Sequence, residues 1–171
     1  MCIRDSDRIA DASRLKRTLI LAPLIVLQNW KKEFAMFSNI DKESIIILDG
    51  PIKKRIERVK SMQKYNCIFL CNYDVIQDLH LATALEAWNP EILVCDEAHN
   101  LKNYKSKRAK AVAKISDLES VKNRYLLTGT PILNNAMDIF MQYRILDGYL
   151  GKGATFGANF FGFRAMFFKD S

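Results

Sequence analysis

The chain predicts an α/β fold, a parallel sheet with flanking helices, on three observations. Five short apolar runs stand at 18–22, 44–48, 67–71, 92–95 and 124–127, lengths that suit strands covered on both faces. Stretches with apolar residues at helical spacing separate them, the alternation expected of right-handed βαβ crossovers. Finally, 171 residues can bury one core of ordinary size, and no repeat or low-complexity linker marks a second domain.

Charge and cysteine usage narrow the function classes. Lys and Arg number 26 against 19 Asp and Glu, a net charge of +7. Such a balance suits a polyanionic partner, although surface lysines alone produce the same figure. No apolar run approaches the roughly 18 residues of a membrane span, and no signal peptide pattern opens the chain. A soluble, intracellular protein without a membrane partner is therefore expected. Cys2, Cys67, Cys71 and Cys95 lack the paired spacing of a zinc framework. Cys67 and Cys71 share one face of a strand, and buried reduced thiols are the expectation.

Residues 1–17 read as a polar helical segment. Thr18 to Ala22 form the first strand, Pro23 punctuates it, and Leu24, Leu27, Trp30, Phe34 and Phe37 recur at helical spacing. Ser44 to Leu48 make the next strand, closed by the turn Asp49-Gly50-Pro51. Ile52, Ile56, Val59 and Met62 then define an amphipathic helix whose other face, with Lys53, Lys54, Arg55, Arg58 and Lys60, reads as solvated. Cys67 to Cys71 form the third strand. A helix from about Val75 to Trp88 is expected to turn Ile76, Leu79, Thr83 and Leu85 toward the sheet, with His80 incidental.

Ile92 to Cys95, with Pro90 just before them, read as a buried strand running into Asp96 and Glu97. Carboxylates at such a strand end serve either as a helix cap or as functional groups, since open α/β sheets place ligands there. In nucleoside-triphosphate hydrolysis one carboxylate can hold magnesium, usually through water, while its neighbour deprotonates the attacking water. Lys102, Lys105, Lys107, Arg108, Lys110 and Lys114 lead the following helix, either as a solvated face or as part of a site. Arg124 to Leu127 form the fifth strand, and Thr128-Gly129-Thr130-Pro131 turns the chain at its end. From Met137 a helix runs to a glycine stop at Gly148. Phe156, Phe160, Phe163 and Phe167 then return at helical spacing, a core stripe whose partner is expected partly outside the chain.

Asp96-Glu97-Ala98-His99, followed by Leu101-Lys102-Asn103 and then by Leu126-Leu127-Thr128-Gly129-Thr130-Pro131, resembles motifs II and III of superfamily-two helicases. The Leu-Lys-Asn extension resembles the Swi/Snf family of DNA-translocating ATPases. Leu-Ile-Leu-Ala-Pro-Leu-Ile-Val-Leu-Gln-Asn-Trp, followed by Lys31-Lys32-Glu33-Phe34, looks like that family's motif Ia. Asn72-Tyr73-Asp74 looks like its motif Ib, though Thr or Ser commonly stands in place of Cys71 or Asn72. Arg144 to Gly148 with Phe156-Gly157-x-Asn159-Phe160 is similar to short phage and bacterial members.

The resemblance covers nearly all of the chain from Thr18 and implies the first RecA-like lobe of such an ATPase over 18–150. It assigns 1–17 to a truncated N-terminal segment and 151–171 to the connection toward a second RecA-like lobe of the parent chain. ATP and magnesium are the implied cofactors and double-stranded DNA the implied partner, with movement along the duplex as the activity. Asp96 would hold magnesium, Glu97 act as catalytic base, and His99 with Thr128, Gly129 and Thr130 couple hydrolysis to DNA. Pro23, Gln28, Asn29, Asn72, Tyr73, Lys102 and Asn103 are the implied nucleic-acid contacts. No G-x-x-x-x-G-K-[ST] phosphate loop is present, the first glycine being Gly50, so the 171 residues alone are expected not to hydrolyse ATP. Two other readings stand beside this one: an RNA helicase or restriction-enzyme motor of the same superfamily, and a non-catalytic basic DNA-binding module. The compartment expected is the cytoplasm for a phage or bacterial source and the nucleus for a eukaryotic one.

Overall fold

Residue parity along the strands divides the core in two. In the computed structural model, which describes residues 15–132, 136–148, 155–157 and 159–168, Leu19, Leu21, Phe69, Cys71, Leu93 and Cys95 point to one face of the sheet. Ile20, Ala22, Ile68, Leu70, Ile92 and Val94 point to the other. Successive side chains of a strand project oppositely, so runs apolar at every position must be covered on both faces. The strands are β1 (Thr18–Ala22), β2 (Ile45–Ile47), β3 (Ile68–Asn72), β4 (Ile92–Asp96) and β5 (Asn123–Leu127). All pairings are parallel, in the order β2-β3-β1-β4-β5.

Six helices flank the sheet among the described residues: α1 (Leu27–Phe37), α2 (Ile52–Ser61), α3 (Leu79–Trp88), α4 (Lys107–Ser116), α5 (Ile139–Asp147) and α6 (Phe160–Phe167). The five from α2 to α6 contribute to the first core, with Val59, Trp88, Ile115, Ile145 and Phe163 among its buried members. Among the described residues only α1 packs on the second, through Leu27, Trp30 and Phe34. Polar caps set several starts: Asp78 accepts the Leu81 N–H, Ser106 the Ala109 N–H and Asn159 the Gly162 N–H. Three thiols, Cys67, Cys71 and Cys95, are free and buried, as expected, and burial pushes each up to about 12.

Several expected details move. The segment after β3 is not one helix, because a 3₁₀ turn at Val75–Gln77 precedes an extended Asp78 and α3 starts afresh at Leu79. The break resets the helical phase, so Leu79 and Thr83 are exposed, while Leu81, Ala82, Ala84, Leu85 and Trp88 face inward. Leu24 and Phe37, the two ends of the first apolar stripe, are also exposed. The face of α2 is not wholly solvated: Arg55 folds back to donate to the carbonyls of Gly50 (2.7 Å) and Leu48 (2.6 Å). The C-terminal aromatic stripe finds partners inside the chain, Phe160 stacking on Tyr104 at 3.9 Å and Phe163 lying 5.1 Å from Phe140. Residues 1–14, and with them the helical segment expected there, lie outside the described residues.

Candidate functional site

Strand register builds the site. β1 lies centrally, paired with β3 on one side and β4 on the other, so the chain switches direction of travel across the sheet there. Ligand crevices of open α/β sheets form at the carboxyl ends of such strands. Ala22 aligns with Asn72, and Asp96 with Leu127. Tyr73, Pro23, Glu97 and Thr128 therefore emerge side by side in that order, one residue past their strand ends, although 105 positions separate Pro23 from Thr128 in the sequence.

Asp96 continues the parity of Ile92 and Val94 and so points to the α1 face. There the Trp30 indole Nε1 donates to its Oδ2 at 2.8 Å, and its Oδ1 accepts the Glu97 N–H at 2.9 Å. Glu97 adopts a left-handed backbone (φ 51°, ψ 50°), a conformation uncommon outside glycine that turns the chain sharply at the strand end. Its carbonyl accepts Asn100 Nδ2 at 3.0 Å. Its Oε2 lies 3.1 Å from His99 Nδ1, and the same nitrogen stands 3.5 Å from Thr128 Oγ1. Thr128 Oγ1 in turn accepts the Thr130 N–H at 3.2 Å. Gln142 on α5 donates to the Pro131 carbonyl at 2.7 Å and anchors this turn. The four residues expected to couple, His99 and Thr128 to Thr130, thus stand together with Glu97.

The residues expected on the nucleic-acid side divide into two groups. Gln28 and Asn29 are exposed on α1. Pro23, Asn72 and Tyr73 line one pocket of about 170 Å³ with Leu24, Asp74, Asn100 and Arg108. Asn72 and Tyr73 are themselves nearly covered, at 8% and 3% exposure. Tyr73 needs correcting as a surface contact: it turns inward and donates its hydroxyl to the Asp96 carbonyl at 2.7 Å. Burial, with Cys95 and Asp96 alongside, raises its phenol far beyond the usual range, so it stays a donor. Lys102 pairs with Asp138 at 3.6 Å, and Asn103 Oδ1 accepts the Lys105 N–H at 3.0 Å, so both have jobs in holding their loop.

Three residues of this region were given no individual role from the sequence, Arg108 being weighed only as one of a basic run. Asn100 and Arg108 line the pocket, Arg108 pairing with Asp74 and lying over the Tyr73 ring at 5.8 Å. Trp30 reads from sequence as one residue of an apolar stripe and of the motif Ia resemblance, neither of which gives the direction of its indole N–H. Of the basic residues between 102 and 114, Lys102, Arg108 and Lys114 are in ion pairs, so the run is not a uniformly free positive face.

The described residues contain no group of three or more His, Cys, Asp or Glu able to cage a metal ion. The donor set fits magnesium held by one carboxylate through water and completed by nucleotide phosphates, the usual way this ion is bound.

A parallel sheet with a carboxylate pair at its switch point, answered by a Thr-Gly-Thr turn on the adjacent strand, defines a lobe of the RecA-like ATPase class. The SNF2-related domain family matches residues 4–159, and the chain belongs to it. Protein CHROMATIN REMODELING 20 of Arabidopsis thaliana is 32% identical over 162 residues, 85% of this chain and 11% of that protein. The DNA repair and recombination protein RAD54B of Gallus gallus is 30% identical over 143 residues, 83% of this chain and 15% of that one. The chain thus spans a small part of the relatives it matches. Among solved structures, the Sulfolobus solfataricus SWI2/SNF2 ATPase core in complex with dsDNA superposes with a TM-score of 0.65 at 25% identity, over 95% of this chain and 30% of that one. The Pyrococcus furiosus Hef helicase domain shares the fold, with a TM-score of 0.60 at 20% identity. No helix of the described residues is long and apolar enough to cross a membrane.

Proposed function

We propose that residues 18–150 serve as the first ATPase lobe of a motor that moves along double-stranded DNA, with 151–171 leading toward a second lobe. The observation that carries this reading is the aligned row of strand ends. It sets the Asp96-Glu97 pair between the Pro23 pocket on one side and the Thr128 turn on the other. Double-stranded DNA as the partner draws support from the Sulfolobus solfataricus core, which is bound to it, and from the net charge of +7.

Bound magnesium ATP supplies a phosphate group whose charge is already partly neutralised. Asp96 would hold the ion through water, its carboxylate fixed in orientation by Trp30 and by the Glu97 N–H. Glu97 takes the proton of the attacking water on its carboxylate. Oε2 is shared with His99 Nδ1, so a shift of the Thr128 turn against His99 changes how that carboxylate is held. Hydrolysis and the nucleic-acid side are coupled through this contact. Pro23, Gln28 and Asn29 would meet the DNA backbone, positioning without reading bases.

Two measurements test the reading. In the first, the 171-residue chain binds a labelled duplex in an anisotropy titration with little sequence preference. If about three to five phosphates are neutralised, log affinity falls with log salt at a slope of roughly −3 to −4.5. Salt-independent or strongly sequence-specific binding counts against it. In the second, a protein carrying this segment together with a phosphate loop and a second lobe releases phosphate from ATP faster when duplex DNA is added. Absence of that stimulation would sink the motor assignment.

A further inference from the structure

We propose that Trp30 and Tyr73 are positioning residues that tie the two segments facing DNA to Asp96, forming a second coupling route beside His99 and Thr128; this rests on the motor reading above. Asp96 is gripped from both segments. Its carboxylate accepts the Trp30 indole N–H at 2.8 Å, and its main-chain carbonyl accepts the Tyr73 hydroxyl at 2.7 Å. Trp30 is 5% exposed, yet it directly follows exposed Gln28 and Asn29 on the same helical turn. A helical turn moves as a rigid unit with 1.5 Å rise per residue, so a push on Gln28 or Asn29 is delivered to the indole. Tyr73 sits between Asn72 and Asp74, which line the pocket with Pro23, and Arg108 lies over its ring while pairing with Asp74. Displacement of that pocket's wall is passed to the hydroxyl.

Burial alone does not explain the Trp30 contact. Trp88, the other tryptophan, is fully buried with no partner for its Nε1. Core packing in this chain therefore tolerates an unanswered indole N–H, whereas Trp30 answers the one carboxylate expected to hold magnesium. An indole has a single donor with a fixed direction, and its bond to an ionised carboxylate is of the stronger, charge-assisted kind. Such a bond sets the angle at which Asp96 presents its oxygens.

The test reads the indole directly. The ¹⁵N-labelled chain has two tryptophans and so two indole cross-peaks, the Trp30 peak being the one lost in Trp30→Phe. Asp96→Asn should move the Trp30 indole proton upfield, since a neutral amide accepts more weakly than a carboxylate, and leave Trp88 in place. Titration with a mixed-sequence duplex should displace the Trp30 peak in step with binding measured by anisotropy, and Tyr73→Phe should shrink that displacement. A merely structural role predicts instead that the Trp30 peak stays in place when the duplex binds and that Tyr73→Phe leaves its response unchanged. A Trp30 peak unmoved by Asp96→Asn overturns the proposal without the help of any Tyr73 variant. Duplex binding that leaves the Trp30 peak fixed overturns it while the DNA reading stands. Absence of duplex binding removes the DNA reading and this proposal with it.

Discussion

The two faces of the sheet are built to different depths. On one, five helices seal Leu19, Leu21, Phe69, Leu93 and Cys95 at 0% exposure, and Trp88 packs edge-on against Phe69 with centroids 4.5 Å apart. On the other, α1 is the one helix packed among the described residues, over Ile20, Ala22, Ile68 and Leu70, which are also 0% exposed; Tyr125 and Leu127 of the edge strand β5 are partly buried, as is Leu126 on the first face. Asp96 points to the thin face. The deep face carries most of the helical packing, and on the shallow one, so called for its single described helix, the functional carboxylate is held by Trp30 and the Glu97 N–H. Substitutions on the two faces should therefore separate cleanly into effects on stability and effects on chemistry.

The largest effect is expected at the strand end itself. Glu97→Gln keeps the shape and removes the base, so ATP hydrolysis by a complete motor carrying this segment should fall by about two to four orders of magnitude. Nucleotide affinity and the urea midpoint should be unchanged. Near-normal turnover in that variant would take Glu97 out of the mechanism, and a large loss of stability would blur the division between the faces.

On the deep face the sign reverses. Trp88→Ala should destabilise the chain by about 3–5 kcal/mol, the range for truncating a buried large aromatic, read as a lowered urea midpoint. A loss below about 1 kcal/mol would mean that the deep face collapses around the cavity and is not tightly packed.

The three buried thiols extend the contrast to pH, since Cys67, Cys71 and Cys95 all belong to the deep face. Burial raises each from 9.0 to about 12. A raised folded-state value favours the protonated form of the folded chain, so this contribution is complete below the unfolded value near 9. It is lost as pH rises toward about 12. Stability should therefore decline across that window, and native alkylation at pH 8 should spare all three thiols while denaturant exposes them. Rapid native alkylation of Cys95 would show that the deep face opens easily.

What the sequence disclosed follows the same division. Five strands were legible because a strand buried on both faces is apolar at every position; β1 has its expected bounds, and no end of the others differs by more than one residue. Asp96, Glu97, His99 and Thr128 were legible as a set: Asp96, Glu97 and Thr128 each sit at or one residue past a strand end, and His99 joins them from the 3₁₀ turn Ala98–Leu101 that follows β4, an arrangement a motif read in order can locate. The grip of Trp30 and Tyr73 on Asp96 was not. It joins residues 66 and 23 positions apart, and it depends on which face Asp96 takes and how α1 rolls against the sheet. Leu79 and Thr83 were misplaced for a local reason: periodicity counted through Asp78 misses the extended backbone (ψ 122°) that restarts the helix. Tyr73 was expected among the nucleic-acid contacts because Asn72-Tyr73-Asp74 resembles motif Ib, whereas strand parity carries its side chain inward to the Asp96 carbonyl.

The smallest expected effect is the sharpest measure of the comparison, because it uses one residue type in two adjacent strands. Leu93 in β4 is fully buried on the deep face, and Leu127 in β5 is half-buried on the shallow one, level with Asp96. Leu93→Ala should cost about 2–5 kcal/mol. Leu127→Ala should cost less, about 1–2 kcal/mol, since part of its side chain at the sheet edge is already in water and leaves a smaller cavity. Urea titration of both variants under one condition gives the difference directly, with similar m-values confirming that the same surface unfolds. Equal losses would mean that Leu127 is covered as deeply as Leu93, and that β5, although at the sheet edge, is packed as tightly as β4.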